Sequence, residues 1–535
     1  MNLIQEKKST FNIAEIIYVL YFSVMTLAKG LGLYDGMWPY TLSLYIGAFL
    51  VLVKLTLTEY TVAEWLYALS MLGLGIFVLH NSDQTGALIY LSMIVAMKNV
   101  SVKRLFTVGV SIWTTTFIFQ ILSSITGINP GIFVVHEKLG LGYMIRWALG
   151  QPHPNVLQIT FLMICAMILY LANFKGKKLI LATAIIFIAN LYIFFYSVSY
   201  TGLILVVFYL AANLYLSFRK ELNILENSVV NLIFPLCASF SIFGPLFFPE
   251  KLWDLCNKVL NTRFFLAKTH MTTDPITLFG ARPSDAIPQR LHNLDSSYVF
   301  VLMRYGIILF VLMCVAYMAY IYHCTKQKKY TELAITIGLC VAAIAEPFFV
   351  NPSFKNISLL FVGEFIFVQF DRFAQRKPDL FLNRKFCLCS LGAKEISLPL
   401  GFFANILSSY CNCVKKNIRK LVVMALCSGI LAGTVFAFTA DIPSRYYALR
   451  SSTQFKTNEY VLLDIENLPD DFEGKILNYI DAETPMLMFE GNISKVEYAR
   501  GIVSSGLWCG LFVAFVCSVL LTGQQLYKKN TENIL

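Results

Sequence analysis

Long apolar stretches separated by short polar ones make up most of this sequence. Each apolar stretch is about 18 to 25 residues long, the length that a helix needs to cross the hydrocarbon core of a bilayer. The pattern predicts about 14 such helices in an all-α, polytopic integral membrane protein. Their approximate ranges are 12–34, 38–57, 62–80, 84–98, 105–125, 153–173, 179–196, 200–217, 227–248, 295–322, 331–349, 356–371, 421–439 and 501–522.

The composition agrees with a membrane protein. Of the 535 residues, 57% are hydrophobic and 14% are charged, whereas about 25% of the residues of an ordinary soluble domain are charged. The first apolar run begins near Phe11 and lacks a small-residue cleavage site. We therefore expect it to be a retained helix and not a removed signal peptide.

The basic residues lie mainly in the connections between the apolar runs. If the helices alternate strictly, nearly every short cluster of Lys and Arg falls on one side, as is typical of cytoplasmic loops. This asymmetry predicts that both termini are cytoplasmic. The net charge of +11 therefore does not predict a nucleic-acid partner, because anionic lipid headgroups can balance it.

Two polar stretches interrupt the regular alternation. A loop at about 249–294, between the ninth and tenth helices, is much longer than its neighbours and is predicted to be extracellular. The helices before and after this loop form a transmembrane core of about 12 helices, residues 1–372, and a basic cytosolic linker follows at 373–420. The remaining tail, 421–535, has two predicted helices around a small extracellular domain at 440–499.

Few signals for a metal or a cofactor are present. Two C-x-C pairs, Cys387 with Cys389 and Cys411 with Cys413, have no histidine beside them, so they are a weak zinc signal. The sequence has no Walker loop, no dinucleotide-binding glycine pattern and no HExxH site. We expect neither a metal nor a cofactor, and any transfer reaction would need a pre-activated substrate.

The long loop and the helix after it contain the first candidates for chemistry. Arg263 could bind a phosphate group through two hydrogen bonds. His292 and Asp295 are one helical turn apart, so the carboxylate could orient the imidazole, or either could act as a base. Alternatively, Asp295 only caps the tenth helix and His292 is a solvated loop residue. Arg304 lies within an apolar run, where a cation needs an anion or water as its partner.

Two helix starts on the same predicted side are also polar. His153 and Asn155 begin the sixth helix, and Ser199 and Tyr200 begin the eighth. Backbone amides at the second of these starts could hold phosphate oxygens, although Ser199 could equally be a simple N-cap. His153 would sit at the positive end of its helix, or it could form part of a capped turn at the membrane interface.

Glu346 is the remaining candidate, near the outer end of the eleventh predicted helix. Its carboxylate would suit Arg304 or Arg263 as a partner, or it could reach water at the membrane interface. Together the candidates form a set of cations, a histidine and carboxylates at the outer membrane face. Such a set favours an amphiphilic substrate with a phosphate head.

The order of these motifs resembles the O-antigen ligase/polymerase superfamily, and specifically the Wzy-type polysaccharide polymerases. The matching stretches are His153–Asn155, Ser199–Gly202, Asn261–Arg263, Leu278–Gly280, Leu294–Tyr298 and Arg304–Gly306, followed by Glu346 and Asn356. The resemblance covers about residues 12–372. Members of the family commonly have Arg where this chain has Tyr200, which weakens the expected phosphate role of that turn.

The resemblance implies an inverting, metal-independent glycosyltransferase of the C type. Glycan on undecaprenyl pyrophosphate would be transferred to a lipid-linked repeat unit at the outer face of a bacterial plasma membrane. Arg263 would bind the donor pyrophosphate and stabilise the leaving group. Either His292 or Asp295 would accept the proton of the attacking hydroxyl. Arg290 and Arg304 would assist in binding phosphate or glycan.

The remaining expected substrate contacts are His153, Asn155, Ser199, Tyr200, Tyr298 and Glu346. A flippase and a chain-length regulator are the expected protein partners. A ligase of the same superfamily, which moves finished glycan to another acceptor, remains an alternative. So do a transporter or flippase of lipid-linked or anionic solutes and a non-catalytic assembly or sensor protein, although we find no internal repeat of the transporter kind.

Overall fold

The computed structural model describes residues 10–34, 36–126, 128, 133–138, 142–288, 291–349, 355–389, 395–397, 401–439 and 492–532. These residues fall into two compact units. The larger unit comprises Asn12–Gln120 and Asn155–Lys394, and the smaller one contains the other described residues. Arg290 and most of the predicted 440–499 domain lie outside the described residues.

The larger unit contains most of the helices. They are α1 (Ile13–Gly30), α2 (Trp38–Leu57), α3 (Val62–Ser82), α4 (Gly86–Val95), α5 (Val102–Ile125, ending in the smaller unit), α6 (Pro154–Ala172), α7 (Lys177–Ser197), α8 (Tyr200–Phe218), α9 (Ile224–Phe247), α10 (Glu250–Val259), α11 (Arg263–Thr273), α12 (Ser297–Phe300), a π-helix (Val301–Tyr305), α13 (Gly306–Lys326), α14 (Tyr330–Ala342), α15 (Ser358–Arg376) and a short 3₁₀ helix (Phe381–Asn383). Two short strands, β2 (Tyr60–Thr61) and β5 (Lys385–Phe386), pair antiparallel.

The smaller unit contains two long helices, α16 (Gly401–Thr439) and α17 (Asn492–Glu532). It also contains an antiparallel hairpin of β3 (Phe133–Lys138) and β4 (Gly142–Trp147), which lies between the fifth and sixth predicted spans. Two further short strands are β1 (Thr10–Asn12) and β6 (Glu395–Ser397). Helix α16 begins well before residue 421, because the basic linker residues continue the helix instead of ending it.

Among the described residues, 11 helices are long and apolar enough to cross a membrane, the span of α12–α13 being counted once. Two further apolar helices, α4 and α14, are shorter than a usual span. The expectation of an all-α, multi-pass membrane protein is confirmed at this level. Three of the 14 predicted spans are not among these 11 helices. They correspond to α4 and α14, which are shorter, and to α15, which is more polar.

Helices α16 and α17 pack through small residues. A Cβ added to Gly429 would lie 2.6 Å from the backbone oxygen of Gly506, and one added to Gly506 would lie 2.9 Å from that of Gly429. These glycines begin two G-x₃-G sequences, which allow two membrane helices to approach until their backbones touch. The tail is therefore a closely packed helix pair.

Helix α10 differs from the spans in that none of its residues is buried. Leu252, Leu255 and Val259 lie on one face and are exposed, while Lys251 and Lys258 share a different face. This separation is typical of a helix that lies in the membrane interface. It brings the chain from α9 to α11, where the candidate site begins.

Candidate functional site

The helix is interrupted between α12 and α13, and the loop before α12 is bound at this interruption. The π-helix Val301–Tyr305 ends at Gly306, and the first backbone N–H groups of α13 have no partner within that helix. The preceding loop supplies partners: Ile307 N–H donates to Thr277 O at 3.0 Å and Ile308 N–H to Leu278 O at 3.3 Å. The loop is thereby fixed along the broken helix.

Two glycines make this close approach possible. Gly280 and Gly306 have φ values of +84° and +86°. A Cβ at Gly280 would lie 2.0 Å from the backbone oxygen of Arg304, and one at Gly306 would lie 2.4 Å from the nitrogen of Gly280. The L-F-G and R-Y-G sequences, noted above for their resemblance to a family, therefore pack against one another.

We expect Gly280→Ala to destabilise the protein by about 2–4 kcal/mol, because two costs add up. Alanine is strained in the left-handed region, and its Cβ would clash with the backbone of Arg304. The measurement is the free energy of unfolding in detergent micelles. Gly73→Ala is the matched control, since no atom lies within 4 Å of a Cβ at this position in α3. Its expected effect is neutral or slightly stabilising. Equal stabilities for the two variants would contradict the proposed packing.

A buried triad lies beside this break. Arg304 donates from Nη1 to Asp274 Oδ2 at 3.1 Å, and its Nη2 lies 2.9 Å from His270 Nδ1. His270 Nδ1 is also 2.9 Å from Asp274 Oδ2. The side chains of His270 and Asp274 have no exposed surface, and that of Arg304 is 2% exposed. The anion that Arg304 needed in an apolar run is therefore Asp274, and not Glu346.

The protons of the triad are largely fixed by its neighbours. His270 Nε2 lies 2.8 Å from Leu291 O, and a carbonyl can only accept, so Nε2 carries a proton. Burial raises the pKa of Asp274, but contacts with His270, the Ser284 amide and Arg304 outweigh it and hold the pKa below its usual value. The contacts of Nδ1 are compatible with either a protonated or an unprotonated nitrogen, because it faces a donor, the Arg304 guanidinium, and an acceptor, the Asp274 carboxylate.

The triad ties together three parts of the chain. His270 belongs to α11, Asp274 follows that helix and Arg304 belongs to the π-helix. The hydrogen bond from His270 to Leu291 O also fixes the segment that leads to His292 and Asp295. Sequence reasoning missed His270 and Asp274, although their i,i+4 spacing in a helical part of the loop was a usable signal.

A second charged cluster surrounds Arg263, the first residue of α11. Its guanidinium donates from Nε to Ala345 O at 2.6 Å and from Nη1 to Leu260 O at 2.9 Å. Its Nη2 lies 3.3 Å from Asp295 Oδ2 and 3.6 Å from Glu346 Oε1. Three of the residues predicted for the site therefore meet at one point. The side chain of Arg263 is 5% exposed, while that of Asp295 is 37% exposed.

His292 and Asp295 do not form the pair expected from their spacing. Residues 292–296 are not helical, because α12 begins only at Ser297, so the argument from one helical turn does not apply. The described contact of His292 Nε2 is with Ile287 O at 2.8 Å. Asp295 is also not the N-cap, since that position belongs to Ser296. Its carboxylate instead faces Arg263.

Lys355 adds a buried cation near this cluster that the sequence analysis did not single out. It lies in the segment before α15, and its side chain is buried. Burial lowers the pKa of Lys355 to about 7, and the charge of Glu346 partly opposes this effect. The amine can therefore gain or lose a proton near neutral pH.

This pKa predicts how stability depends on pH. Since the folded pKa of about 7 lies below the ordinary value of 10.5, the unfolded chain binds a proton between these pH values that the folded chain does not. The free energy of unfolding should therefore gain an upward slope from pH 7 to 10.5. Unfolding titrations of Lys355→Met should show less slope, whereas the exposed control Lys268→Met should keep it. Parallel curves for all three proteins would refute the prediction.

Ser297 and Tyr298 connect α12 to the end of α14. Ser297 Oγ donates to Glu346 O at 2.5 Å, and the Ser297 amide donates to Ala343 O at 2.9 Å. Tyr298 is fully buried and donates its hydroxyl proton to Cys340 O at 2.8 Å. Tyr298 therefore supports the cluster from inside the protein, and a direct contact with substrate would require it to leave Cys340.

The turn before α8 forms a separate buried polar network. Ser199 accepts from the Gly202 amide at 3.3 Å, as an N-cap does, and donates to Asn155 Oδ1 at 3.0 Å. Ser197 donates to Gln158, whose amide group donates to Asn190. The structure thus joins Asn155 and Ser199. Ser199 therefore is the N-cap of α8, one of the two roles expected from the sequence. A role of this turn in phosphate binding stays a prediction.

Tyr200 and His153 flank this network along the sequence. Tyr200 is the first residue of α8, and its ring centroid lies 5.7 Å from that of Phe194. His153 immediately precedes Pro154, the first residue of α6. Within the described residues, no group of three or more His, Cys, Asp or Glu side chains could hold a metal ion. The described cysteines are all free thiols.

No known protein family, curated protein or solved structure matches this chain. The two charged clusters differ in how accessible they are to solvent. The triad is closed to solvent, whereas the cluster around Arg263 includes the partly exposed carboxylate of Asp295. Of these two clusters of described residues, the one around Arg263 is therefore the one whose ionisable groups an external substrate could reach.

Proposed function

We propose that this protein is a bacterial cell-surface polysaccharide polymerase that acts on glycans linked to undecaprenyl pyrophosphate. The observation that supports this proposal is the pair of Asp295 and Arg263, 3.3 Å apart. The partly exposed carboxylate of Asp295 can act as a base. It lies next to the buried guanidinium of Arg263, which can bind pyrophosphate. Glycan transfer from a pyrophosphate-linked donor needs both of these groups.

In the proposed step, a hydroxyl of the lipid-linked acceptor attacks the anomeric carbon of the donor sugar. The bond from that carbon to the pyrophosphate oxygen breaks, and its electron pair leaves with the pyrophosphate. Asp295 accepts the proton of the hydroxyl, which becomes the new glycosidic oxygen. Attack opposite the leaving group inverts the anomeric configuration. No cofactor is required, because the donor is already activated.

Arg263 is proposed to steady the leaving group through Nη2. The other guanidinium nitrogens are held by carbonyls, but the contacts of Nη2 with Asp295 and Glu346, at 3.3 and 3.6 Å, are longer than the ~2.8 Å of a tight charge-assisted bond. A pyrophosphate oxygen could therefore compete for this nitrogen. Arg290, outside the described residues, is proposed as a second cation.

The proposed location is the outer face of the plasma membrane. The Lys and Arg asymmetry of the connections supports cytoplasmic termini. Helix α10, with exposed Leu252 and Leu255 on one face, supports a position of the following segment near the lipid headgroups. A lipid-linked donor would present its pyrophosphate at this depth. The flippase and chain-length regulator remain proposed partners.

The test is a transfer assay with purified protein in liposomes and a pyrophosphate-linked repeat unit. A ladder of longer glycans on the lipid is the expected product. A single adduct on a different added acceptor would instead identify a ligase of the same superfamily. If the mixture yields no new glycosidic bond, both readings fail.

A further inference from the structure

A basic cavity of about 500 Å³ lies at one end of the larger unit. Its wall combines Lys103 at the start of α5, Lys175 between α6 and α7, Arg219 at the end of α8, and Lys328 and Lys329 between α13 and α14. These residues come from four separate parts of the chain. The folded bundle therefore gathers cations that the sequence distributes over more than 200 positions.

The cavity is far from the candidate active site around Arg263. Helix α14 begins at the cavity with Tyr330, and two residues just after its end, Ala345 and Glu346, contact Arg263. The helix has 13 residues, which corresponds to a length of about 20 Å. Binding at the cavity would therefore be a property distinct from glycan transfer.

Three of the five cations already have carboxylate partners. Arg219 pairs with Glu226 at 2.6 Å, and Lys328 pairs with Glu221 at 2.7 Å. In addition, Lys329 pairs with Glu332 at 3.1 Å.

The other two cations, Lys103 and Lys175, make no ion pair with any described residue. Two positive charges of the cavity wall are thus not balanced by an ion pair. An anion with two negative charges would balance them.

We propose that this cavity binds the headgroup of an anionic phospholipid that carries two phosphate charges. The cavity lies at the ends of α6, α8 and α13, which are all candidate membrane spans. Lipid headgroups would therefore lie at the same depth as the cavity. Tyr170 and Tyr330 also line it, and tyrosine is enriched where membrane meets water. Basic pockets between membrane helices commonly bind such headgroups. The bound lipid would connect four parts of the bundle.

The test uses the full-length protein in detergent, titrated with a diphosphatidyl lipid and observed by native mass spectrometry. Lys103→Gln/Lys175→Gln should bind this lipid about 30-fold more weakly, since each basic residue near the headgroups contributes about 1 kcal/mol. The matched control is Lys251→Gln/Lys258→Gln, which removes two exposed lysines of α10 and should keep the wild-type affinity.

The remaining arms identify the source of the phosphate. A neutral phosphatidylcholine should not compete with the diphosphatidyl lipid, and millimolar inorganic phosphate should displace it only weakly. Equal losses of affinity in both double variants would overturn the site. Full displacement by inorganic phosphate would overturn the assignment to a lipid. A melting scan of each variant confirms that it is folded, and Lys103→Arg/Lys175→Arg, which keeps both charges, should keep binding.

Discussion

Asp295→Asn should lower the rate of glycan transfer by about 10²–10⁴-fold, the usual loss when a general base is removed. The amide of Asn cannot accept the proton of the acceptor hydroxyl, although it has nearly the same shape. The fold should persist, because Arg263 keeps its bonds to Ala345 O and Leu260 O and its contact with Glu346. The measurement is single-turnover transfer from a pyrophosphate-linked repeat unit.

The matched control for this variant is Asp254→Asn, which changes an exposed carboxylate on α10. Its transfer rate should stay within about twofold of the original protein, because an exposed surface substitution has little effect. A second comparison, His292→Gln, separates the two candidate bases. If His292→Gln loses activity and Asp295→Asn keeps it, the base is the imidazole and the role proposed for Asp295 is wrong.

Asp274→Ala should destabilise the protein by about 3–5 kcal/mol, the usual cost of leaving a buried charge without its partner. Arg304 and His270 would then share a closed space with no anion, since Asp274 is their carboxylate partner there. The free energy of unfolding in detergent is the measurement. The stabilising effect should be present above pH 3.8 and fall as the pH drops towards the lower folded pKa of Asp274.

The control for Asp274 is Asp83→Ala, which breaks the ion pair with Arg282. That pair is 2.6 Å long, but both side chains are more than 60% exposed, so its loss should cost at most about 1 kcal/mol. The combined change Asp274→Leu/Arg304→Met should recover much of the lost stability, because it removes both buried charges. Equal costs for Asp274→Ala and Asp83→Ala would show that the triad contributes no special stability.

The sequence was sufficient to predict the general architecture because the bilayer imposes a length and a composition on every span. Helices α7 and α9, for example, correspond closely to the predicted apolar runs. The hairpin of β3 and β4 was not predicted, because its few residues have no apolar run of comparable length. The early start of α16 was also missed, since basic residues are compatible with a helix as well as with a linker.

The candidate site was only partly predictable. Arg263, Asp295 and Glu346 were all named from the sequence, and the structure brings the carboxylates of Asp295 and Glu346 within 3.3 and 3.6 Å of the Arg263 guanidinium. Arg304 was recognised as a buried cation in need of an anion. Its partner was not identified, because Asp274 is 30 positions away in a polar loop where a carboxylate gives no sign of being buried.

The sequence by itself determined that this chain is a multi-pass helical membrane protein, because apolar runs of sufficient length can satisfy their backbone in lipid only as helices. It also determined that a cation inside an apolar run, such as Arg304, needs a partner. Only the tertiary structure decided which charges pair. Ion pairing depends on distances of 3 to 4 Å between groups far apart in the chain, and no local pattern contains them. The close packing of Gly280 and Gly306 holds the loop beside Arg304, whose triad is closed to solvent, whereas the carboxylate of Asp295 is partly exposed.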